Sequence, residues 1–232
     1  MNNTLRRTIK QLGIVATVIL AILIVNRYLP PQHNPLRPID LDDPIGVATH
    51  YKLTRIKSDN SLCYTLLDKA GIGYSPVGEN AGTPTCPLER ALVLNRSNFP
   101  YSVTPLRMTC STMAALYIWE HDVVRPQAES LLGSRIEEVL TYGSYSCRNI
   151  AGTNRLSEHG RANAIDIIGF RLEDGREIQV REQWREDSAE GAFLDAVHTG
   201  ACRVFSVVLG PDYNADHADH FHFDMGNGAL CS

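Results

Sequence analysis

The chain has 232 residues, 44% of them hydrophobic and 21% charged, and a net charge of −4. These proportions are those of an ordinary globular domain with a small appendage. The acidic balance gives no reason to expect nucleic acid as a partner, and no internal repeat is visible.

Residues 1–29 are the appendage. Arg6, Arg7 and Lys10 precede an uncharged apolar run, Leu12–Val25, interrupted only by Gly13 and Thr17. Its 14 residues fit the core of a signal peptide. Extended through Asn26–Leu29, the run approaches the ~20 residues of a spanning helix. The exit Asn26–Pro31 holds no small-x-small cleavage site, and Tyr28 suits a membrane interface. An uncleaved anchor is therefore favoured over a cleaved signal. Positive charges ahead of the run keep the amino terminus in the cytoplasm. The expectation is a single-pass inner-membrane protein with its carboxy-terminal domain in the periplasm.

Residues 30–52 carry Pro30, Pro31, Pro35, Pro38 and Pro44 among polar residues and read as an extended tether. Residues 53–232 form the folded domain. Cys63, Cys86, Cys110, Cys147, Cys202 and Cys231 all follow the anchor, and no C-x-x-C pair occurs. An even cysteine count in an exported domain implies disulfides, though spacing does not choose among the possible pairings.

Within the domain, Ala91–Leu94 reads as a strand. Ser111 is positioned to cap a helix through Met113, Leu116, Tyr117 and Trp119 that packs on a sheet. Arg135–Tyr142 reads as a strand, and Phe170–Val180 as a hairpin turning at Asp174-Gly175. Ser188–Gly200 has the pattern of an amphipathic helix with Gly200 as its C-cap and a structural His198. Arg203–Leu209 is a strand, followed by a loop of solvated composition whose Asp216 and His217 could also line the cleft. Grouped hairpins, rather than alternating strands and helices, point to α+β with an antiparallel sheet flanked by helices.

The chemistry concentrates in Leu156–Asp166 and Asp219–Asp224. If Asp219–Met225 is a strand, alternation puts His220, His222 and Asp224 on one face and Phe221, Phe223 and Met225 on the core face. Asp166 interrupts the apolar strand Ala164–Ile168, and a buried carboxylate there needs a partner. His159, in a turn just upstream, can bring its ring over that strand. Two neutral imidazoles and one carboxylate, with water in the fourth position, are the ligands of a catalytic Zn²⁺ site.

Ser157-x-His159, Ala164-x-Asp166 and the later Asp219-x-x-His222 resemble the signature of the zinc D-Ala-D-Ala carboxypeptidase, murein endopeptidase and hedgehog superfamily. His220-Phe-His222 matches that superfamily's H-x-H form. Ala162 stands where the pattern has glycine, and alanine keeps the turn if its φ is negative. Tyr145–Arg148, Gly200–Phe205 and Val208–Asn214 resemble the bacterial extensin-like carboxy-terminal family within it, over roughly Cys63 to Cys231. The resemblance implies a disulfide-stabilised metallopeptidase-like fold with zinc on His159, Asp166 and His222. It implies Asp219 or His220 as general base, and Arg148 as the group that contacts a substrate carbonyl or carboxylate. It further implies hydrolysis of peptide bonds in peptidoglycan stems or cross-links. The alternative is a non-catalytic zinc domain that binds cell-wall peptide or an envelope protein, as hedgehog domains act by binding.

Overall fold

A computed structural model describes residues 3–78, 81–88 and 90–232. Helix α1 (Asn3–Tyr28) contains a stretch, Thr4–Tyr28, long and apolar enough to cross a membrane, and no part of that stretch's apolar window is buried.

The Pro-rich stretch 30–52 corrects the expectation of a tether, because it packs on the domain. Ile39 and Leu41 enter the core. Tyr117 donates its hydroxyl to Asp42 Oδ1 at 2.9 Å, and Arg203 Nη2 donates to the Ile45 carbonyl at 2.9 Å. Buried Lys52 donates Nζ to the carbonyls of Pro31 and Pro38, at 2.6 and 3.4 Å. Prolines remove donors and fix φ, but they leave carbonyls to be satisfied and do not stop intervening apolar side chains from burying. The packed body therefore includes this stretch and continues into α2 (Thr49–Ile56) and α3 (Asn60–Lys69).

A small antiparallel sheet follows, in the order β1 (Gly73–Pro76), β4 (Ala91–Arg96), β5 (Leu106–Thr109). A two-stranded ribbon of β2 (Gly82–Thr83) and β3 (Cys86–Pro87) lies between β1 and β4 in the chain. Helix α4 (Cys110–Trp119) is capped by Thr109, whose hydroxyl accepts from the Thr112 amide, and not by Ser111. Thr109 is the last extended residue, as an N-cap must be, whereas Ser111 is already helical. All ten residues of α4 are buried, so it is a central helix with no solvent face. It continues through two wide turns, Glu120–Val124 and Ala128–Leu132, on either side of α5 (Arg125–Gln127). Pro126 cannot donate to the preceding turn, and the widened turns let the chain run on around it.

The large sheet is built from β6 (Ile136–Gly143), β7 (Ala164–Leu172), β8 (Glu177–Gln179), β9 (Val207–Leu209), β10 (Phe221–Asp224) and β11 (Leu230–Cys231). Its order is β11-β9-β10-β7-β6, with β8 also paired to β7 beyond β10. Every pair is antiparallel except β9 with β11, so the α+β expectation holds. The β7–β8 hairpin turns at Asp174-Gly175, where Gly175 has φ 89°. Beyond α6 (Val180–Gln183), α7 (Ala189–Ala201) is capped by Ser188. Gly200 is inside α7 and does not cap it. A Cβ at that position would lie 2.3 Å from Val123 Cγ1, so glycine there allows close helix packing. The strand expected over Arg203–Leu209 begins only at Val207, because Val204 and Phe205 still bond back to the Ala201 carbonyl.

Trp119 joins the two layers. Its ring meets Phe170 and Phe223 at centroid distances of 6.1 and 5.2 Å, and its Nε1 donates to the Val197 carbonyl at 2.9 Å. Three disulfides, Cys63–Cys110, Cys86–Cys147 and Cys202–Cys231, use all six cysteines.

Candidate metal centre

Strands β7 and β10 run antiparallel with Asp166 directly opposite His222. Phe221, Phe223 and Met225 are buried on the core face, and alternation turns His222 and Asp224 to the other. His159 arrives on a short 3₁₀ turn, Glu158–Arg161. Ser157 caps that turn by accepting from the His159 amide at 3.3 Å. Asn163 fixes its exit, donating to Glu158 Oε2 at 2.6 Å and accepting from the Thr109 and Thr112 hydroxyls at 3.0 Å each. Ala162 ends the turn with φ 53° and ψ 33°, so the turn is kept without the negative φ that would suit alanine there. The chain must reverse there to enter β7, and the left-handed region is the one that a glycine would occupy at least cost.

Three ligand atoms converge. His159 Nε2 lies 3.1 Å from Asp166 Oδ1 and 3.0 Å from His222 Nδ1, and the last two atoms are 2.9 Å apart. His159 and Asp166 are almost completely buried, at 2% and 7% exposure. Each imidazole is held from behind. His159 Nδ1 lies 2.9 Å from the Ser144 carbonyl, and His222 Nε2 lies 3.2 Å from Asp224 Oδ2. If the outer nitrogens carry hydrogen and donate to these oxygens, both inner nitrogens present lone pairs to each other and to a carboxylate. Three lone pairs at this separation repel unless a cation lies among them.

The electrostatics state the same demand. Burial opposes charge on His222, but hydrogen bonds to Asp166 and Asp224 outweigh it and push the imidazole up to about 9. Burial likewise raises Asp166, but the contacts with His159 and His222 hold its carboxyl far below the usual range. A proton or a metal ion meets this demand. The edges of the triangle are close to the roughly 3.3 Å between ligands about 2.0 Å from a tetrahedral zinc. The residues present therefore fit a zinc ion.

His220, just before β10, aims Nε2 at the cluster, 3.7 Å from Asp166 Oδ1. Its Nδ1 lies 2.9 Å from Asp219 Oδ1, while Tyr142 donates its hydroxyl to Asp219 Oδ2 at 2.9 Å. Both Asp219 oxygens are thus engaged away from the ligand atoms. The hydrogen bond with His220 is the main cause that holds the Asp219 carboxyl below its ordinary value. His217, on the loop expected either to be solvated or to line the cleft, lines it and is half-buried, with its ring 5.2 Å from that of His220 and 5.9 Å from that of His222. Tyr142, Ser144 and Asp224 have roles that sequence reasoning did not assign. For Asp224 the signal was its spacing of two from His222, whereas Tyr142 and Ser144 meet the site only through the β6–β7 pairing and the loop after it. His198 lies in the core, its ring against Trp184 and Phe221.

The model for the extensin-like protein C-terminus matches residues 61–232. The chain belongs to that family. No curated protein matches the chain. In this extensin-like domain the match covers the His159, Asp166 and His222 cluster, all six cysteines and every strand described above, and it begins after the packed segment 30–52.

The extensin-like domain places its cluster in a cleft of about 1320 Å³ lined by His159, His220, His222 and His217. Arg148 lines the same cleft and is exposed. It follows Cys147, and the Cys86–Cys147 disulfide ties its position to β3.

Proposed function

We propose that the extensin-like domain is a zinc peptidase acting on peptidoglycan stems or cross-links, anchored by α1 in the inner membrane and exposed in the periplasm. The observation that carries this reading is the triangle of His159 Nε2, Asp166 Oδ1 and His222 Nδ1, with all sides between 2.9 and 3.1 Å. The resemblance to the zinc carboxypeptidase and murein endopeptidase superfamily, through His159, Asp166 and the H-x-H pair, supports the substrate class.

His159, Asp166 and His222 would hold the ion, oriented by Ser144 and Asp224. Zinc bound there supplies Lewis acidity toward a peptide carbonyl and toward water. His220 manages the proton. With its Nδ1–H donated to Asp219, its Nε2 lone pair faces the site and takes the proton of the attacking water. The water oxygen bonds to the carbonyl carbon, the C–N bond breaks, and His220 returns the proton to the leaving amine. Asp219 holds the ring in this orientation by accepting from its Nδ1–H. Arg148, on the wall of the cleft, binds a carbonyl or carboxylate of the substrate.

Incubating the full chain in detergent with purified cell-wall peptides, with and without chelator, tests the reading. Chelator-sensitive appearance of new amino termini is expected. Peptide retention without turnover, across several wall peptides, would replace it with the non-catalytic binding reading.

A further inference from the structure

The wall of the cleft carries a second recognition element. Arg148–Ser157 is a short hairpin: Ile150 N donates to the Arg155 carbonyl at 2.8 Å, Ser157 N donates to the Arg148 carbonyl at 3.0 Å, and Asn149 bridges Leu156. Alternation about that bridge puts Arg148, Ile150, Arg155 and Ser157 on one face. All four line the cleft. Arg90 lines it too, from beyond the ribbon that the Cys86–Cys147 disulfide joins to the base of the hairpin.

Arg148 and Arg155 are exposed and line one cleft, with the apolar Ile150 between them on the same face of the hairpin. Together with Arg90 they form a cationic wall in a protein whose net charge is −4, and planar guanidinium forks suit the recognition of carboxylates.

We propose that the Arg148–Ser157 hairpin recognises carboxylates of an acidic peptide, with Arg155 taking a charge separate from the group held by Arg148. This deepens the peptidase reading and rests on it for the peptide nature of the ligand. Charge selection itself does not require turnover. Ile150, between the charged groups on that face, gives the peptide backbone an apolar contact, which a uniformly charged glycan does not need.

The test is fluorescence anisotropy with the full chain in detergent and two labelled, alanine-rich hexapeptides that differ only in carrying two glutamates or two glutamines. The glutamate peptide should bind about tenfold tighter at low salt, and the preference should shrink as salt rises. Arg155→Gln should cut that preference about threefold to fivefold, the range for exposed charge pairs, and leave glutamine-peptide affinity unchanged. Equal affinity for the two peptides, or an unaltered preference in Arg155→Gln, would overturn the proposal. So would tighter binding of an oligogalacturonate, which would identify a general polyanion surface. Hydrolysis of purified cell-wall peptides, measured in parallel, separates the readings: glutamate preference with no wall-peptide cleavage removes the peptidase and keeps the wall, whereas wall-peptide cleavage with equal hexapeptide affinity does the reverse.

Discussion

His222 stands directly opposite Asp166 across the β7–β10 ladder, with its Nδ1 2.9 Å from the carboxylate. Opposed residues of an antiparallel pair share a face with Cβ atoms about 4.5–5.5 Å apart, so strand register alone brings two of the three ligands together. Phe223 beside Trp119 and Phe221 beside Trp184, both buried on the other face, hold that register. A slip of one residue would expose both rings and turn His222 into the core.

His220 and Asp219 should separate in a kinetic comparison. His220→Ala removes the proton carrier and should lower turnover by ~10²–10⁴-fold while zinc is retained. Asp219→Asn removes the charge but keeps an amide oxygen that can accept from His220 Nδ1–H, and should cost less, about 10-fold, because the Asp219 carboxylate engages His220 and Tyr142 rather than the ligand atoms. Steady-state rates with zinc content measured on the same samples decide this. Loss of activity in Asp219→Asn with full activity in His220→Ala would make Asp219 the base.

Leu41→Ala should destabilise the domain by roughly 2–5 kcal/mol, the cost of emptying a closed core position. Leu41 is 1% exposed despite its place in the Pro-rich stretch. Denaturant melts of the full chain in detergent measure the change. A difference below about 0.5 kcal/mol would mean that residues 30–52 hang free as a tether.

Ala162 tests the left-handed turn. Glycine would remove about 1–2 kcal/mol of strain, but it adds backbone entropy of about 0.5–1 kcal/mol to the unfolded state and gives up a buried methyl worth ~0.8 kcal/mol. These effects nearly cancel, so Ala162→Gly should be within about 0.5 kcal/mol of the parent. Ala162→Val places a β-branched residue at φ 53° and should cost at least ~2 kcal/mol and weaken zinc retention, because His159 lies in the turn that Ala162 closes. A valine variant of unchanged stability would contradict the conformation.

Gly200→Ala should cost about 1–3 kcal/mol, because the added methyl would fall 2.3 Å from Val123 Cγ1 and push α7 off its neighbour. Thermal melts read it directly. A neutral result would mean that α7 packs with more room than described.

Residue patterns carried much of this architecture. The period-two alternation of Phe221, His222, Phe223 and Asp224 placed the core and open faces, and Asp174-Gly175 marked its hairpin. What escaped depended on contacts between distant segments. The choice between Asp219 and His220 turns on where β10 begins and on the hydroxyl of Tyr142, a residue on β6. Backbone conformation at Ala162 carries no residue-type signal, since alanine seldom takes a positive φ. Prolines between 30 and 44 signalled extension correctly at the backbone level, but whether an extended segment is free or packed depends on the apolar groove that receives Ile39 and Leu41. Gly200 was read as a cap because a glycine near a helix end usually is one. Its close approach to Val123 becomes visible only when both helices are in place.

The proposed function requires that His159, Asp166 and His222 hold one zinc ion. Elemental analysis of the full chain purified without chelator, set beside His159→Ala and His222→Ala, tests it most directly. About one zinc per chain is expected in the parent, with loss in both variants while each remains folded by circular dichroism. Equal zinc content in the parent and the two variants, or a parent that takes up no zinc under saturating conditions, would contradict it.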